Sequence, residues 1–240
     1  MNLMQPILYL SLLCCIIFFL YIILYKSYFL SASKITTPDE ALAELLQGNK
    51  KYNSFWHFIT RANRKSVSLV QRPFAIILSC SDSRVPTEII FNQKGLGNLF
   101  IIRNAGNVVD GIVLGSIEYG VDQLKALLII VLGHERCGAV TATIEKIITK
   151  SPEQPGHIKD IINAIKPAAH NILEKNDIPE DLHGQAKDDI INKTVKENVR
   201  LVVEHLYKES QIISNAVDSK KIKLVGAYYD LDDGNIKLVR

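Results

Sequence analysis

The chain has 240 residues, enough for one globular domain and an additional segment. Its 48% hydrophobic and 22% charged residues are the composition of a packed protein and exclude a disordered one. The net charge is only +3, and the absence of a long basic run or aromatic–basic ladder argues against nucleic acid as a partner.

Residues 6–25, "PILYLSLLCCIIFFLYIILY", carry no charge. Their length matches the ~20 apolar residues that cross a bilayer core. A secretory leader has a basic stretch ahead of a shorter apolar run of roughly 7–15 residues. Here Lys26 and Lys34 follow the run instead. The positive-inside rule then predicts a membrane-associated protein, with an uncleaved hydrophobic helix within residues 1–35 crossing the lipid bilayer and residues 36–240 on the cytoplasmic side. The alternative is a leader cleaved near "SAS" (31–33) and a periplasmic product. Cys14 and Cys15 fall inside the apolar run, leaving Cys80 and Cys137 to the rest of the chain. Two cysteines do not settle the redox compartment by counting.

The stretch "TTPDEALAELLQGN" (36–49) predicts a helix, with Thr36 or Thr37 as cap, Pro38 in the first turn and Gly48 at the exit. Nearly continuous apolar runs follow at 74–78, 98–103, 126–133 and 221–229. They are short and rich in branched residues, as strands buried on both faces are. Helical patterns separate them at 110–124, 136–148 and 187–207, and Pro and Gly mark 150–157 as a loop. The alternation predicts an α/β fold: a mostly parallel central sheet of four to five strands flanked by helices.

In such sheets ligands bind beyond the carboxyl ends of the strands. "CSDSRVP" (80–86) and "GHERCG" (133–138) stand at those ends. His134 and Cys137, at i and i+3 on entry to a helix, can face one ion, and Cys80 from a neighbouring strand end supplies a third donor. A Cys₂His set suits zinc. A structural zinc needs a fourth protein ligand, and His57, His157, His170, His183 and His205 are the available histidines. None stands beside another ligand in sequence, which favours a fourth position filled by water. Asp82 is an alternative fourth ligand in a closed state. Asp82 and Arg84 lie two apart on one side of an extended segment, so Arg84 can hold Asp82 ionised and turned away from the metal.

These motifs, with "RNAGN" (103–107) and "GSIEYG" (115–120), resemble the β class of carbonic anhydrases from about Pro38 to the closing "VGAYYDLDDG". The resemblance implies one zinc per chain on Cys80, His134 and Cys137, with Asp82 and Arg84 as the catalytic dyad. It implies reversible hydration of CO₂ to bicarbonate and a proton through zinc-bound hydroxide. It further implies a homodimer or tetramer, and an apolar substrate pocket at the dimer interface involving Gln71, Phe100 and Tyr119. Gly138 falls in the same pocket, although tight backbone geometry is the simpler reading of that glycine. Two thiolate donors would leave bound water less acidic than the ~7 that three-histidine carbonic anhydrases reach, so activity should rise into the alkaline range. Two other readings share the fold: hydration of a linear sulfur analogue such as CS₂ or COS, and a non-catalytic membrane-bound sensor in which Asp82 closes the site.

Overall fold

The computed structural model describes residues 18–19, 67–93, 96–152, 156–175 and 183–239. The chain divides into two compact units, Met1–Arg61 and Ala62–Arg240, and every element below belongs to the second. The apolar run at 6–25, apart from the helical, exposed Phe18 and Phe19, and the helix expected at 36–49 lie outside the described residues. No helix among the described residues is long and apolar enough to cross a membrane.

Strand β1 (Ala75–Cys80) is buried along its whole length. After the short helix α1 (Thr87–Ile90) comes β2 (Leu99–Asn104), which pairs with β1 in parallel. A 3₁₀ turn (Ala105–Asn107) leads to helix α2 (Gly111–Asp122), whose start Asp110 caps by accepting from the Val113 amide. Strand β3 (Leu128–His134) returns to the other side of β1. Helices α3 (Gly138–Thr149), α4 (Ile158–Leu173), α5 (Gly184–Glu209) and α6 (Gln211–Asp218) precede β4 (Lys223–Tyr229), parallel to β3. An antiparallel edge strand, β5 (Ile236–Val239), completes the order β2-β1-β3-β4-β5. The expected α/β fold is therefore present, with four parallel strands and one antiparallel.

The winding reverses at β1: the chain steps to β2 on one side and to β3 on the other. A crevice opens beyond the carboxyl ends of β1 and β3 at such a switch point, because the connections leave in opposite directions. Cys80 ends β1 and His134 ends β3.

One face of the sheet buries Ile76, Leu78, Ile129 and Val131 against Ile117 of α2 and Val199, Val202 and Leu206 of α5. Helix α5 lies close because β3 and β4 present glycines to it. A Cβ at Gly133 would stand 2.7 Å from both Val195 Cγ1 and Val199 Cγ2, and one at Gly226 would stand 2.7 Å from Val199 Cγ1. At the carboxyl end of the sheet, α3, α4 and α5 close a second apolar cluster around Cys80 and Cys137, including Val140, Ile144, Ile165 and Val195.

Helix α4 was not expected from the sequence pattern. Pro167, inside it, removes one backbone donor. The apolar stripe Ile158, Ile161, Ile162, Ile165 and Ala169 nevertheless has helical spacing, and burial of Ile162, Ile165, Ala168 and Ala169 holds the element together.

Candidate metal centre

The segment "GHERCG" does not continue the helix back to Arg136, as its pattern suggested. Arg136 has φ 50°, a left-handed conformation that costs a non-glycine residue roughly 1–2 kcal/mol. Helix α3 starts at Gly138, with Cys137 as its extended N-cap. His134 and Cys137 thus converge through a tight left-handed turn between strand and helix, not from one helical turn. Partners on three sides hold that turn. The Arg136 amide donates to Asn192 Oδ1 at 3.0 Å, its guanidinium pairs with Asp232, and its carbonyl accepts from Arg84 Nη2 at 3.3 Å.

The sulfurs of Cys80 and Cys137 and a ring nitrogen of His134 all lie within 4.8 Å of one another, and all three residues are buried. Neither cysteine is in a disulfide. His134 Nδ1 stands 2.9 Å from the Glu135 carbonyl, which can only accept, so Nδ1 carries the proton. Nε2 is left with a lone pair, buried and without a hydrogen-bond partner. An unmatched buried polar atom costs about 1–3 kcal/mol, and a metal ion in the sulfur-lined space removes that cost. Two thiols and a neutral imidazole aimed at one centre fit zinc.

The two sulfurs share one charge. The hydrogen bond from Cys137 is the largest cause pulling the Cys80 thiol well below its ordinary range, helped by the Gly106 amide. The same bond to Cys80, together with burial, pushes Cys137 upward. Without a cation the pair resists double ionisation; a divalent ion removes that obstacle.

Asp82 stands just outside this cluster, its Oδ2 3.9 Å from His134 Nε2. Arg84 grips it, the amide and Nε donating to Oδ1, each at 2.9 Å, and Nη2 donating to Oδ2 at 2.7 Å. Those bonds from Arg84 are the main reason the Asp82 carboxyl stays far below the usual carboxylate range. The Asp82 side chain is 17% exposed, so water reaches it. Arg103 of β2 sets the segment from behind, donating through Nε to the Cys80 carbonyl at 3.0 Å and through Nη2 to the Asp82 carbonyl at 2.7 Å.

Cys80, Asp82, Arg84, His134 and Cys137 are therefore brought to one place. Gly138, exposed at the start of α3, directly follows Cys137, whereas Gln71 is exposed in the coil before β1. Phe100 and Tyr119 touch each other, ring centroids 6.3 Å apart. Phe100 pairs with Ile76, four residues before Cys80. At ~3.3 Å per residue that is about 13 Å back along the strand. Glu135, Asp230 and Asp232 form a second group of close carboxylates. Arg136 pairs with Glu135 and Asp232, and Glu135 Oε2 accepts from the Leu231 amide, so internal partners account for that group.

A soft-donor triad with a water-reachable carboxylate beside it defines a catalytic type of zinc centre, since a structural site closes itself with four protein donors. The family model described as carbonic anhydrase matches residues 75–236. Carbonic anhydrase 2 of Mycobacterium tuberculosis is 38% identical over 213 residues, covering 85% of this chain and 93% of that protein. The carbonic anhydrase of Mycolicibacterium smegmatis is 38% identical over 175 residues, covering 73% of this chain and 79% of that one. Among solved structures, the β-carbonic anhydrase CcaA superposes with a TM-score of 0.72 at 25% identity, over 82% of this chain and 87% of that one. The Coccomyxa β-carbonic anhydrase, solved with acetazolamide, gives 0.68 at 28% identity, over 82% and 86%. This chain belongs to the carbonic anhydrase family, in its β class.

Proposed function

We propose that this protein hydrates carbon dioxide reversibly to bicarbonate and a proton, using one zinc ion held by Cys80, His134 and Cys137. The observation that carries the reading is the buried, partnerless Nε2 of His134 facing two buried thiols. Zinc there would supply a Lewis acid that makes water more acidic and nucleophilic, a behaviour for which carbonic anhydrases are the standard example. The chain's own residues do the rest. The Glu135 carbonyl fixes the His134 tautomer that leaves Nε2 free. A carboxylate offers about four lone-pair sites. Arg84 takes two on Oδ1 and one on Oδ2, leaving Asp82 an acceptor on Oδ2, the oxygen nearest His134. That free site orients the attacking water and takes its hydrogen bond. Release of Asp82 from Arg84 would let it serve as the fourth ligand of a closed state.

The Phe100–Tyr119 pair, distant from its own chain's triad along the strand, completes an apolar substrate pocket, with Gln71, in a dimer. Support for assembly comes from related β-carbonic anhydrases described as tetrameric. The uncharged run at 6–25 supports attachment to a bilayer with the catalytic unit on the cytoplasmic face. Membrane fractionation with protease protection tests that placement.

Metal analysis and stopped-flow CO₂ hydration on the full chain test the enzymatic reading. Stoichiometric zinc and turnover are expected in the wild type, and both are lost in Cys80→Ser, His134→Ala and Cys137→Ser. Full activity in any of the three defeats the assignment. Parallel assays on COS and CS₂ decide the substrate class.

A further inference from the structure

We infer that Asn198 of α5 is a positioning residue for the metal thiolate Cys80, acting through the backbone of Gly106. Asn198 is 3% exposed, and its Nδ2 donates to the Gly106 carbonyl at 3.1 Å. The Gly106 amide in turn donates to Cys80 Sγ at 3.4 Å. The two bonds hold the carbonyl and the amide of one residue, so together they restrain both peptide groups that flank its Cα.

Gly106 does not enforce that orientation by itself. Its φ of 76° is a conformation that side chains resist, and a Cβ there would meet Ile165 Cδ1 at 2.7 Å and Ala139 Cβ at 3.2 Å. Packing by α3 and α4 thus selects glycine, and glycine is the residue whose own backbone torsions are least restrained. Reciprocal bonds between the Asn104 side chain and the Val108 backbone close the turn, and Asn198 supplies the bond to the Gly106 carbonyl itself. Asn198 also lines an open groove of about 350 Å³ with Val108, Val109, Pro167 and Leu201. Its bond to Gly106 is itself buried, and away from water a bond between a side-chain amide and a carbonyl is held firmly.

An N–H aimed at a thiolate withdraws charge from the sulfur. Partners one bond removed from a metal's ligands change its affinity or activity by roughly 10–100-fold. Loss of Asn198 lets the Gly106 amide turn away, leaving Cys80 a more electron-rich donor in a less fixed position.

The inference rests on the zinc reading above, and wild-type protein without stoichiometric metal would fail that reading first. With metal present, Asn198→Leu and Asn198→Ala, neither of which can donate, are compared with wild type. In the cobalt-substituted protein the sulfur-to-metal charge-transfer band is expected to move to longer wavelength in both. Zinc loss to a competing chelator is expected to be about tenfold faster. An unmoved band and unchanged retention in a folded variant overturn the inference. So does a fall in melting temperature with the band unmoved, which is what a merely structural role produces. Should neither variant fold, the cadmium-loaded wild type decides. The Gly106 amide proton is expected to couple to the metal through Cys80 Sγ, and no coupling overturns the assignment.

Discussion

Gly133→Ala is a demanding test of how the fold places the centre, because Gly133 immediately precedes His134. The new methyl would stand 2.7 Å from Val195 Cγ1 and 2.7 Å from Val199 Cγ2. Carbon–carbon contacts relax to ~3.5–4.0 Å. Both valines are almost fully buried on α5, and a valine in a helix has essentially one χ1 rotamer. Neither can swing aside, so α5 must lift or β3 must bend. Overpacking of this kind costs about 1–3 kcal/mol, and two simultaneous clashes put the expected value near the top, at about 2–3 kcal/mol. For a domain of this size each kcal/mol moves the melting temperature by roughly 2–4 °C, so a fall of roughly 4–12 °C is expected. Thermal melts of the zinc-loaded protein, with chelator competition alongside, measure the cost. The same change in a Val195→Ala/Val199→Ala background should cost clearly less, since the clashing methyls are gone. Equal costs in the two backgrounds would refute the reasoning.

Asp82→Asn should lower turnover by about a hundredfold or more while zinc content stays at the wild-type level, because the proton-accepting oxygen is lost and no donor of the triad is touched. Loss of metal would make Asp82 a ligand instead. Ser210→Ala should cost about 2 kcal/mol in denaturant unfolding. Its buried hydroxyl caps α6 by accepting from the Ile213 amide and donates to Glu118 Oε1 at 2.6 Å. A cost below about 0.5 kcal/mol would show that the cap contributes nothing there. Hydrogen bonds from Arg200, with help from Asn171, hold the Glu197 carboxyl at about 2 against an ordinary 4.5. A depressed folded value stabilises fully above the unfolded one and is lost as pH falls through the folded one. Wild-type stability should therefore drop between pH 4.5 and about 2, and Glu197→Gln should flatten that window; identical acid profiles would contradict it.

The chain's own residue pattern carried the four parallel strands and three of the helices beside them, because strands of a parallel sheet write themselves as short apolar runs, most completely in the fully buried β1. It also carried the donors, since Cys80, Asp82, Arg84, His134 and Cys137 fall where apolar runs stop. Strand order, and with it the switch point between β1 and β3, is a long-range property that no local period contains. Helix α4 shows the limit from the other side: Pro167 obscured a helix whose apolar stripe was present. So does the turn at Arg136, where three tertiary partners hold a left-handed residue in the middle of a helical pattern. Arg103 lies 23 residues from Cys80, and Asn198 lies 92 residues from Gly106. Their approach depends on strand pairing and on the glycine gaps that let α5 settle against the sheet. Local periodicity and side-chain chemistry name the atoms that can meet a metal, and three-dimensional packing alone decides which backbone groups hold them there.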